Sequence, residues 1–276
     1  MEKRILLPTD FSDNSWSAIV YALKLYKDEA CVFYFLNSIA VEGSTMANLS
    51  NKLLKIMKEN ALRELLELKD MAEKSNINSN HRFEIIISTK DLNPAIEMAV
   101  KTYEIELIIM GTQGATGAEE FLFGTNTVHL INNLRTCPVL ILPEEFDFAE
   151  PKQIAFPTDF NHFYSEKEIE PLLKLADLYN AKIRVVHINV EESLDELQQY
   201  NLIVLKSFLQ NYEHSFHWMP NYAKKTTEIK DFITELGIDI LVMVNYKHGF
   251  FEKLIKEPVI KKMGSQPMVP FLVVPE

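Results

Sequence analysis

The sequence contains little that would support redox, metal or membrane chemistry. Only two of its 276 residues are cysteine, and both Cys31 and Cys137 lie inside apolar runs, so we expect two buried free thiols. Cysteine and histidine spacings typical of redox or zinc sites are absent. No apolar run approaches the roughly 20 residues that a membrane-spanning helix needs, and no apolar signal-peptide core follows Met1. We therefore expect a cytoplasmic protein.

Positive charge is also scarce. The chain has 28 Lys and Arg against 39 Asp and Glu, a formal net charge of −11 and a pI of about 5.2. Nucleic acids and anionic membranes are bound through clustered Lys and Arg, so neither partner is expected. With 47% hydrophobic and 24% charged residues the composition is that of a globular protein, and the length suffices for two ordinary domains.

Two common catalytic patterns are missing as well. The Gly-Lys-Ser/Thr ending of a P-loop does not occur, which argues against a P-loop kinase or ATPase. We find no nucleophile placed with a base, so acyl transfer has no support. The sequence therefore points towards binding rather than towards a familiar catalytic machinery.

The two halves of the sequence repeat each other. Three pairs of segments match in the same order: residues 4–11 with 153–160, residues 105–110 with 238–243, and residues 137–144 with 269–276. The offset is 149 for the first pair and 133 for the second, so the second copy is shorter in its middle. We predict two tandem domains, residues 1–146 and 151–276, joined by the acidic linker Glu144–Pro151.

Each half alternates apolar strands with amphipathic helices. In the first copy we predict strands at 5–8, 31–36, 83–88, 107–110 and 139–142, and helices at 12–26, 44–74, 94–103 and 125–134. Near-continuous apolar strands separated by helices indicate a parallel sheet covered on both faces. Right-handed crossovers then give a doubly wound α/β sheet, in which ligands bind outside the carboxyl ends of the strands.

A glycine-rich segment lies between the fourth strand and the following helix. Half of the eight glycines in the protein lie here: Gly111, Gly114, Gly117 and Gly124. Gly111 lets the chain leave the strand without a Cβ in the way, and unpaired N–H groups near Gly124 and Thr125 favour an anion at the helix start. No Lys or Arg occurs between Gly111 and Thr127, so phosphate binding would rest on backbone donors, with or without a divalent cation.

Asp10 follows the first strand and is expected to face this segment. If the first and fourth strands are neighbours, the Asp10 carboxylate can accept hydrogen bonds from ribose hydroxyls. A capping role is the alternative, because Asp159 stands at the same place in the second copy, which lacks the glycines. Gly111 is likewise open to a simple turn role, and we expect Lys90 to be a solvated lysine rather than a phosphate ligand.

These residues resemble the universal stress protein family. The nucleotide-binding signature of that family, Gly-x2-Gly-x9-Gly-Ser/Thr, is complete here as Gly111, Gly114, Gly124 and Thr125. Segments 5–11 and 137–143 also look like the first and last strands of the family. The resemblance spans the chain as two tandem domains, and it implies five-stranded, mainly parallel sheets of the adenine nucleotide alpha hydrolase type.

The same resemblance implies an ATP site in the first domain, with or without Mg²⁺. It would be lined by Pro8, Thr9, Asp10, Leu36, Met110, Gly111, Gly114, Gly124, Thr125 and Asn126. Adenine would lie near Leu36 and Met110, and the phosphates would lie near Gly114, Gly124 and Thr125.

The second copy departs from this pattern. Its counterparts of the signature glycines are Val244 for Gly111, Lys247 for Gly114, and Lys256–Pro258 for Gly124. A β-branched residue at the strand exit, and Glu and Pro near the helix start, oppose the approach of a phosphate. We therefore expect one nucleotide site per chain and a second domain that serves pairing or regulation. Members of the family associate through edge strands, here those starting near Pro138 and Pro270, so self-association within or between chains, as in a dimer, is expected.

Two functions stay open at the level of sequence. The first is an ATP-binding stress-response regulatory protein with at most slow ATP hydrolysis. The alternative is a non-nucleotide scaffold of the same fold that acts through protein partners, which the acidic glycine segment and the altered second copy favour. An enzyme of the ATP-pyrophosphatase type would need a Ser-Gly-Gly-x-Asp-Ser loop after the first strand, where this chain has Pro-Thr-Asp-Phe-Ser-Asp at residues 8–13.

Overall fold

The computed structural model of the chain describes seven stretches of residues: 2–39, 51–112, 125–143, 146–189, 193–220, 232–246 and 269–276. These residues divide into two units, one ending at Phe148 and the other beginning at Ala149. Each unit consists of strands that alternate with helices, and each is described below by itself.

The first unit contains five strands and four described helices. In chain order they are β1 (Lys3–Pro8), α1 (Asp13–Leu25), β2 (Cys31–Ser38), α2 (Asn51–Ser75), β3 (His81–Ser88), α3 (Leu92–Tyr103), β4 (Leu107–Gly111), α4 (Thr125–Asn133) and β5 (Val139–Leu142). The strand order is β3-β2-β1-β4-β5, and every pair is parallel. The chain builds outwards from β1 in one direction and then returns to β4 on the other side, so β1 and β4 flank the switch point of the sheet.

This arrangement confirms the predicted doubly wound α/β fold. Four of the five strands run slightly longer than predicted, and β5 has the predicted bounds. The described part of the predicted helix at 44–74 begins at Asn51, and residues 44–50 lie outside the described residues. α3 starts two residues earlier than predicted, after Asp91, whose side chain makes no capping hydrogen bond.

Local sequence explains why α1 begins at the carboxyl edge of the sheet. Ser12 is the N-cap residue, and its side chain accepts a hydrogen bond from the Ser15 amide. Asp13 in the first turn and Lys24 in the last turn complement the helix dipole. The buried face of the helix is mostly apolar, with Ala18, Ile19 and Ala22 at 1% exposure or less. The first turn is thereby fixed next to the ends of β1 and β4.

The second unit repeats this order. Its elements are β6 (Gln153–Pro157), α5 (Glu166–Tyr179), β7 (Lys182–Asn189), α6 (Glu196–Leu209), β8 (His214–Pro220), β9 (Ile240–Asn245) and β10 (Phe271–Pro275), and residues 232–236 are helical. The strand order is β10-β9-β6-β7-β8, again with parallel pairs. When each strand is replaced by its counterpart in the first unit, this order is the same as that of the first unit, as the internal repeat predicts.

The two cysteines are buried free thiols, as predicted. Cys31 is 0% exposed and Cys137 is 1% exposed, and neither is in a disulfide. Burial raises the pKa of each thiol to about 12. Because the thiolate is the reactive form, neither residue is a candidate nucleophile.

The residue after α3 has a strained backbone conformation, and its counterpart in the second unit is a glycine. Glu104 follows α3 in the left-handed conformation, with φ 51°, whereas its counterpart in the second unit is Gly237, with φ 57°. A side chain is disfavoured in this conformation and glycine is not. Glu104 also pairs with Arg4, but both side chains are exposed, so this ion pair adds little.

Glu104→Gly is therefore expected to raise the free energy of unfolding by about 0.5–1 kcal/mol, because it removes the left-handed strain. Urea denaturation of the variant measures this change. Glu106→Gly is the matched control, because Glu106 has an ordinary backbone conformation, and there glycine should destabilise the protein. A loss of stability in both variants would contradict the strain at Glu104.

A polar chain on β7 and β8 surrounds the imidazole of His217. Arg184 donates to Ser215 Oγ at 2.8 Å, and Ser215 Oγ lies 2.7 Å from His217 Nε2. Since Arg184 uses the hydroxyl as an acceptor, the hydroxyl proton is directed to the imidazole nitrogen, which suits a neutral ring. Burial and the nearby Arg184 charge lower the pKa of His217 below its usual 6.5.

Because the unfolded chain takes up this proton at a higher pH than the folded chain, the stability that His217 contributes is present above pH 6.5 and is lost as the pH falls. We expect the free energy of unfolding to decrease as the pH falls below about 6.5, and we expect a smaller decrease in His217→Gln, which does not titrate. Chemical denaturation at several pH values tests this. Identical pH dependence in both proteins would contradict it.

Candidate functional site

The carboxyl ends of β1 and β4 bring two predicted site segments to one edge of the first sheet. β1 pairs directly with β4 through Ile5 with Leu107 and Leu6 with Ile108. The chain continues from β1 into Thr9 and Asp10, and from the last residue of β4, Gly111, into Thr112. Asp10 and Gly111 thus leave neighbouring strands at the switch point, where open α/β sheets bind their ligands.

Thr9 organises the exit of β1. Its amide donates to the Leu36 carbonyl at 2.8 Å, and its carbonyl accepts from Asn37 Nδ2 at 2.9 Å. Its hydroxyl lies 2.9 Å from Ser15 Oγ and accepts from the Phe11 amide at 3.0 Å. Thr9 is only 7% exposed, and Pro8 before it is also buried. The hydrogen bonds of Thr9 thus fix the backbone at the end of β1.

Asp10 is the exposed carboxylate of this edge. Its Oδ1 accepts from the Ser12 amide at 3.1 Å and from the Ser12 hydroxyl. Partial burial alone would raise the pKa of Asp10, but these hydrogen bonds outweigh it and hold the pKa below its usual 3.8. Asp159 accepts from the Asn161 amide in the same way at 3.0 Å, so the turn is common to both units. Asp10 therefore stabilises the turn before α1, whose N-cap is Ser12, and it is at the same time ionised at neutral pH.

Leu36 and Met110 lie in the core beneath the edge. Leu36 is 0% exposed and Met110 is 7% exposed. The Leu36 carbonyl is used by the Thr9 amide. Beyond Leu36, Ser38 and Ile39 are partly exposed, and they are not among the predicted site residues.

Gly111 is fixed by a close neighbour. A Cβ at this position would lie 2.8 Å from the side-chain amide atoms of Asn14, in the first turn of α1. The Asn14 amide donates to the Thr112 carbonyl, and the Thr112 amide donates to the Leu142 carbonyl at 2.9 Å. The sequence predicted a glycine at the strand exit but missed Asn14. The available signal was a polar residue in the first turn of the helix that follows Asp10.

The other signature residues are only partly covered. Gly114 and Gly124 lie outside the described residues, and so does Gly117. Thr125 is the first residue of α4, which is the predicted helix start, and Asn126 is exposed.

Two further polar residues flank this edge. His129 is exposed, and its Nδ1 lies 2.5 Å from Asn93 Nδ2. Lys90 is exposed after β3, and its carbonyl accepts from Ser38 Oγ at 2.6 Å.

Two aromatic rings stack at the equivalent edge of the second unit. The Tyr246 ring, just after β9, stacks on the His162 ring with centroids 4.0 Å apart and planes inclined by 9°. The Tyr246 hydroxyl also donates to the Phe163 carbonyl at 3.2 Å. Val244, the counterpart of Gly111, is 7% exposed. Lys247 and residues 256–258, the other counterparts of signature glycines, lie outside the described residues.

The described residues supply no cage for a metal ion. Within them, no three or more His, Cys, Asp or Glu side chains come together. Mg²⁺ is often held by one carboxylate together with substrate phosphates and water, and Asp10 fits that limited role. In the part of the chain that the structure covers, no helix is long and apolar enough to cross a membrane.

Comparison with known proteins agrees with this architecture. A universal stress protein from Methanocaldococcus jannaschii is 29% identical over 143 residues, which is 51% of this chain and 81% of the relative. The structure of a universal stress protein from Archaeoglobus fulgidus DSM 4304 covers 99% of this chain and 98% of its own, with a TM-score of 0.72 and 19% identity. A Pseudomonas aeruginosa UCBPP-PA14 structure described as a universal stress protein covers 99% and 93%, with a TM-score of 0.60 and 14% identity.

At these identities the two structures show the fold alone, and they extend it over both units. The family itself is shown by sequence, since residues 1–143 match the model of the universal stress protein family. That match contains the complete first unit up to β5 and every residue of the predicted site. The chain therefore belongs to the universal stress protein family.

Proposed function

We propose that the chain is a stress-response regulatory protein that binds ATP in its first unit, at the carboxyl ends of β1 and β4. The observation that carries this proposal is the direct pairing of β1 with β4. It brings the ionised Asp10 and the exit at Gly111 to the switch point, where the complete signature Gly111, Gly114, Gly124 and Thr125 begins.

Each part of the nucleotide then has a chemically suitable neighbour. Asp10 carries a carboxylate that accepts hydrogen bonds from ribose hydroxyls while it still accepts from Ser12. Backbone donors of the signature segment and the N-terminus of α4 at Thr125 and Asn126 would receive the phosphates. Leu36 and Met110, both buried, would form the apolar base of the adenine position. Mg²⁺, when present, would be held mainly by the phosphates, with Asp10 as the available carboxylate.

The second unit serves pairing or regulation in this proposal. We place the two domains at residues 1–146 and 151–276, and we assign the nucleotide to the first. The support is chemical: Val244 replaces the glycine at the strand exit, and His162 and Tyr246 stack on one another at the equivalent edge. Self-association through β5 and β10, within or between chains, is part of the same proposal, because each strand ends the sheet order of its own unit.

Two measurements test the nucleotide site. Mass spectrometry of small molecules released from the purified, denatured protein should detect an adenine nucleotide if one co-purifies. Calorimetry with ATP, with and without Mg²⁺, should give one site per chain. No heat of binding under either condition would overturn the proposal, whereas two equivalent sites would overturn the assignment to the first unit.

A scaffold without nucleotide is the second candidate. It is favoured by the shared turn, since Asp10 and Asp159 make the same hydrogen bond although only the first unit carries the signature. In that case, Gly124→Glu should leave every activity and partner interaction of the wild type unchanged. Loss of an activity in this variant, together with retained folding, would exclude the scaffold.

A further inference from the structure

A single side chain connects the first turn of α1 to the exit of β4. Asn14 Nδ2 donates to the Thr112 carbonyl, and the Asn14 amide lies 2.8 Å from where a Cβ on Gly111 would be. The Thr112 amide donates to the Leu142 carbonyl at 2.9 Å, and Thr112 is only 4% exposed. Thr112, the residue after β4, is thus held from two sides, by β5 through its N–H and by α1 through its C=O.

This position matters because the backbone enters the glycine signature immediately after it. Backbone donors bind an anion well only if they are fixed before the ligand arrives, since ordering them on binding costs free energy. A residue that fixes the direction of the chain at Thr112 therefore influences affinity without contacting the ligand.

The second unit lacks both halves of this contact. Phe163 stands at the place of Asn14, and Val244 stands at the place of Gly111. The Phe163 side chain is 65% exposed, and its ring packs 5.9 Å from Tyr200. The polar first-turn residue and the glycine at the strand exit thus occur together in one unit and are replaced together in the other.

We propose that Asn14 is a positioning residue of the nucleotide site, which fixes the exit of β4 through the Thr112 carbonyl and requires glycine at 111. This inference rests on the proposed ATP site for its effect on binding. The contact itself is tested without nucleotide, so the two can fail separately.

Hydrogen exchange measured by NMR on the unliganded protein tests the contact. Asn14→Leu keeps a similar shape and removes the donor, and Asn14→Asp replaces the donor with an acceptor. In both variants the Thr112 amide should exchange about three- to tenfold faster, the equivalent of one neutral hydrogen bond, while the Thr9 amide, which donates to Leu36 O, should be unchanged. Ser17→Ala is the matched control, since Ser17 Oγ bonds the Asp13 carbonyl on the same helix and should alter neither amide.

Calorimetry with ATP then tests the effect on binding. Asn14→Leu should weaken ATP binding about three- to tenfold, and Ser17→Ala should bind like the wild type. Unchanged exchange at Thr112 overturns the contact, and faster exchange with unchanged ATP affinity overturns the positioning role. If the wild type itself binds no ATP, the proposed function fails, the positioning role fails with it, and the exchange data alone decide the contact.

Discussion

Gly111→Ala is expected to weaken ATP binding by about 1–3 kcal/mol, or roughly 5- to 150-fold, which is the usual cost of overpacking a closely packed position. The added Cβ would come within 2.8 Å of the Asn14 amide, and either Asn14 or the exit of β4 must move. Movement of either one disturbs the bond to the Thr112 carbonyl. Calorimetry with ATP measures the affinity, and urea denaturation shows how much of the loss comes from folding.

Val244→Ala is the matched control for this variant. Val244 occupies the equivalent place in the second unit, so its truncation should lower stability and leave ATP affinity unchanged. Combination with Asn14→Ala sharpens the test, because removal of the Asn14 amide makes room for the new Cβ. In a protein that already carries Asn14→Ala, Gly111→Ala should therefore reduce ATP affinity only slightly further. An affinity within threefold of the wild type for Gly111→Ala alone would contradict the close packing.

Asp10→Asn is expected to weaken ATP binding by about 1.5–3 kcal/mol, or roughly 10- to 150-fold, the value of a hydrogen bond to a charged group. Asparagine keeps an acceptor for the Ser12 amide, so the turn after β1 should survive. The substitution thus separates the two roles that the sequence left open for this residue. A residue that only stabilises the turn tolerates the change, whereas a residue that binds ribose through its negative charge does not.

Asp159→Asn is the control, because Asp159 makes the same turn in the second unit. It should leave ATP binding unchanged. Stability near neutral pH should fall slightly in Asp10→Asn, since the lowered pKa of Asp10 contributes stability that is present above pH 3.8 and lost as the pH falls through the folded value. Equal ATP affinities for wild type and Asp10→Asn would assign Asp10 to the turn alone.

Much of the fold was predictable because the spacing of apolar residues along the sequence indicates which residues are buried. β2, β4 and β5 are apolar runs buried over most of their length, whereas the edge strand β3 alternates at its start. The bounds of all five strands of the first unit differ by two residues or fewer from the predicted ones. The repeat was visible because strand ends such as Pro8 and Pro157 keep their sequence in both copies. The pairing of β1 with β4 followed from the general topology of doubly wound sheets.

The details of the site were less accessible from sequence. Leu36 was implied by the family resemblance as the end of the second strand, and the apolar character of that strand buries it completely. Asn14 and Asn37 were missed because their importance lies in backbone carbonyls, of Thr112 and Thr9, that are distant in sequence. A side chain that bonds a remote backbone atom leaves no periodic trace in the sequence.

The stacked His162 and Tyr246 rings have a consequence for how the chain would respond to nucleotide concentration. Because these rings stack at the second edge, each chain carries one proposed site. The fraction of chains that bind ATP should then rise hyperbolically with ATP concentration, with a Hill coefficient of one. A duplicated sheet would then give no cooperativity within a chain. A steeper response would have to come from association between chains, and it would therefore depend on protein concentration.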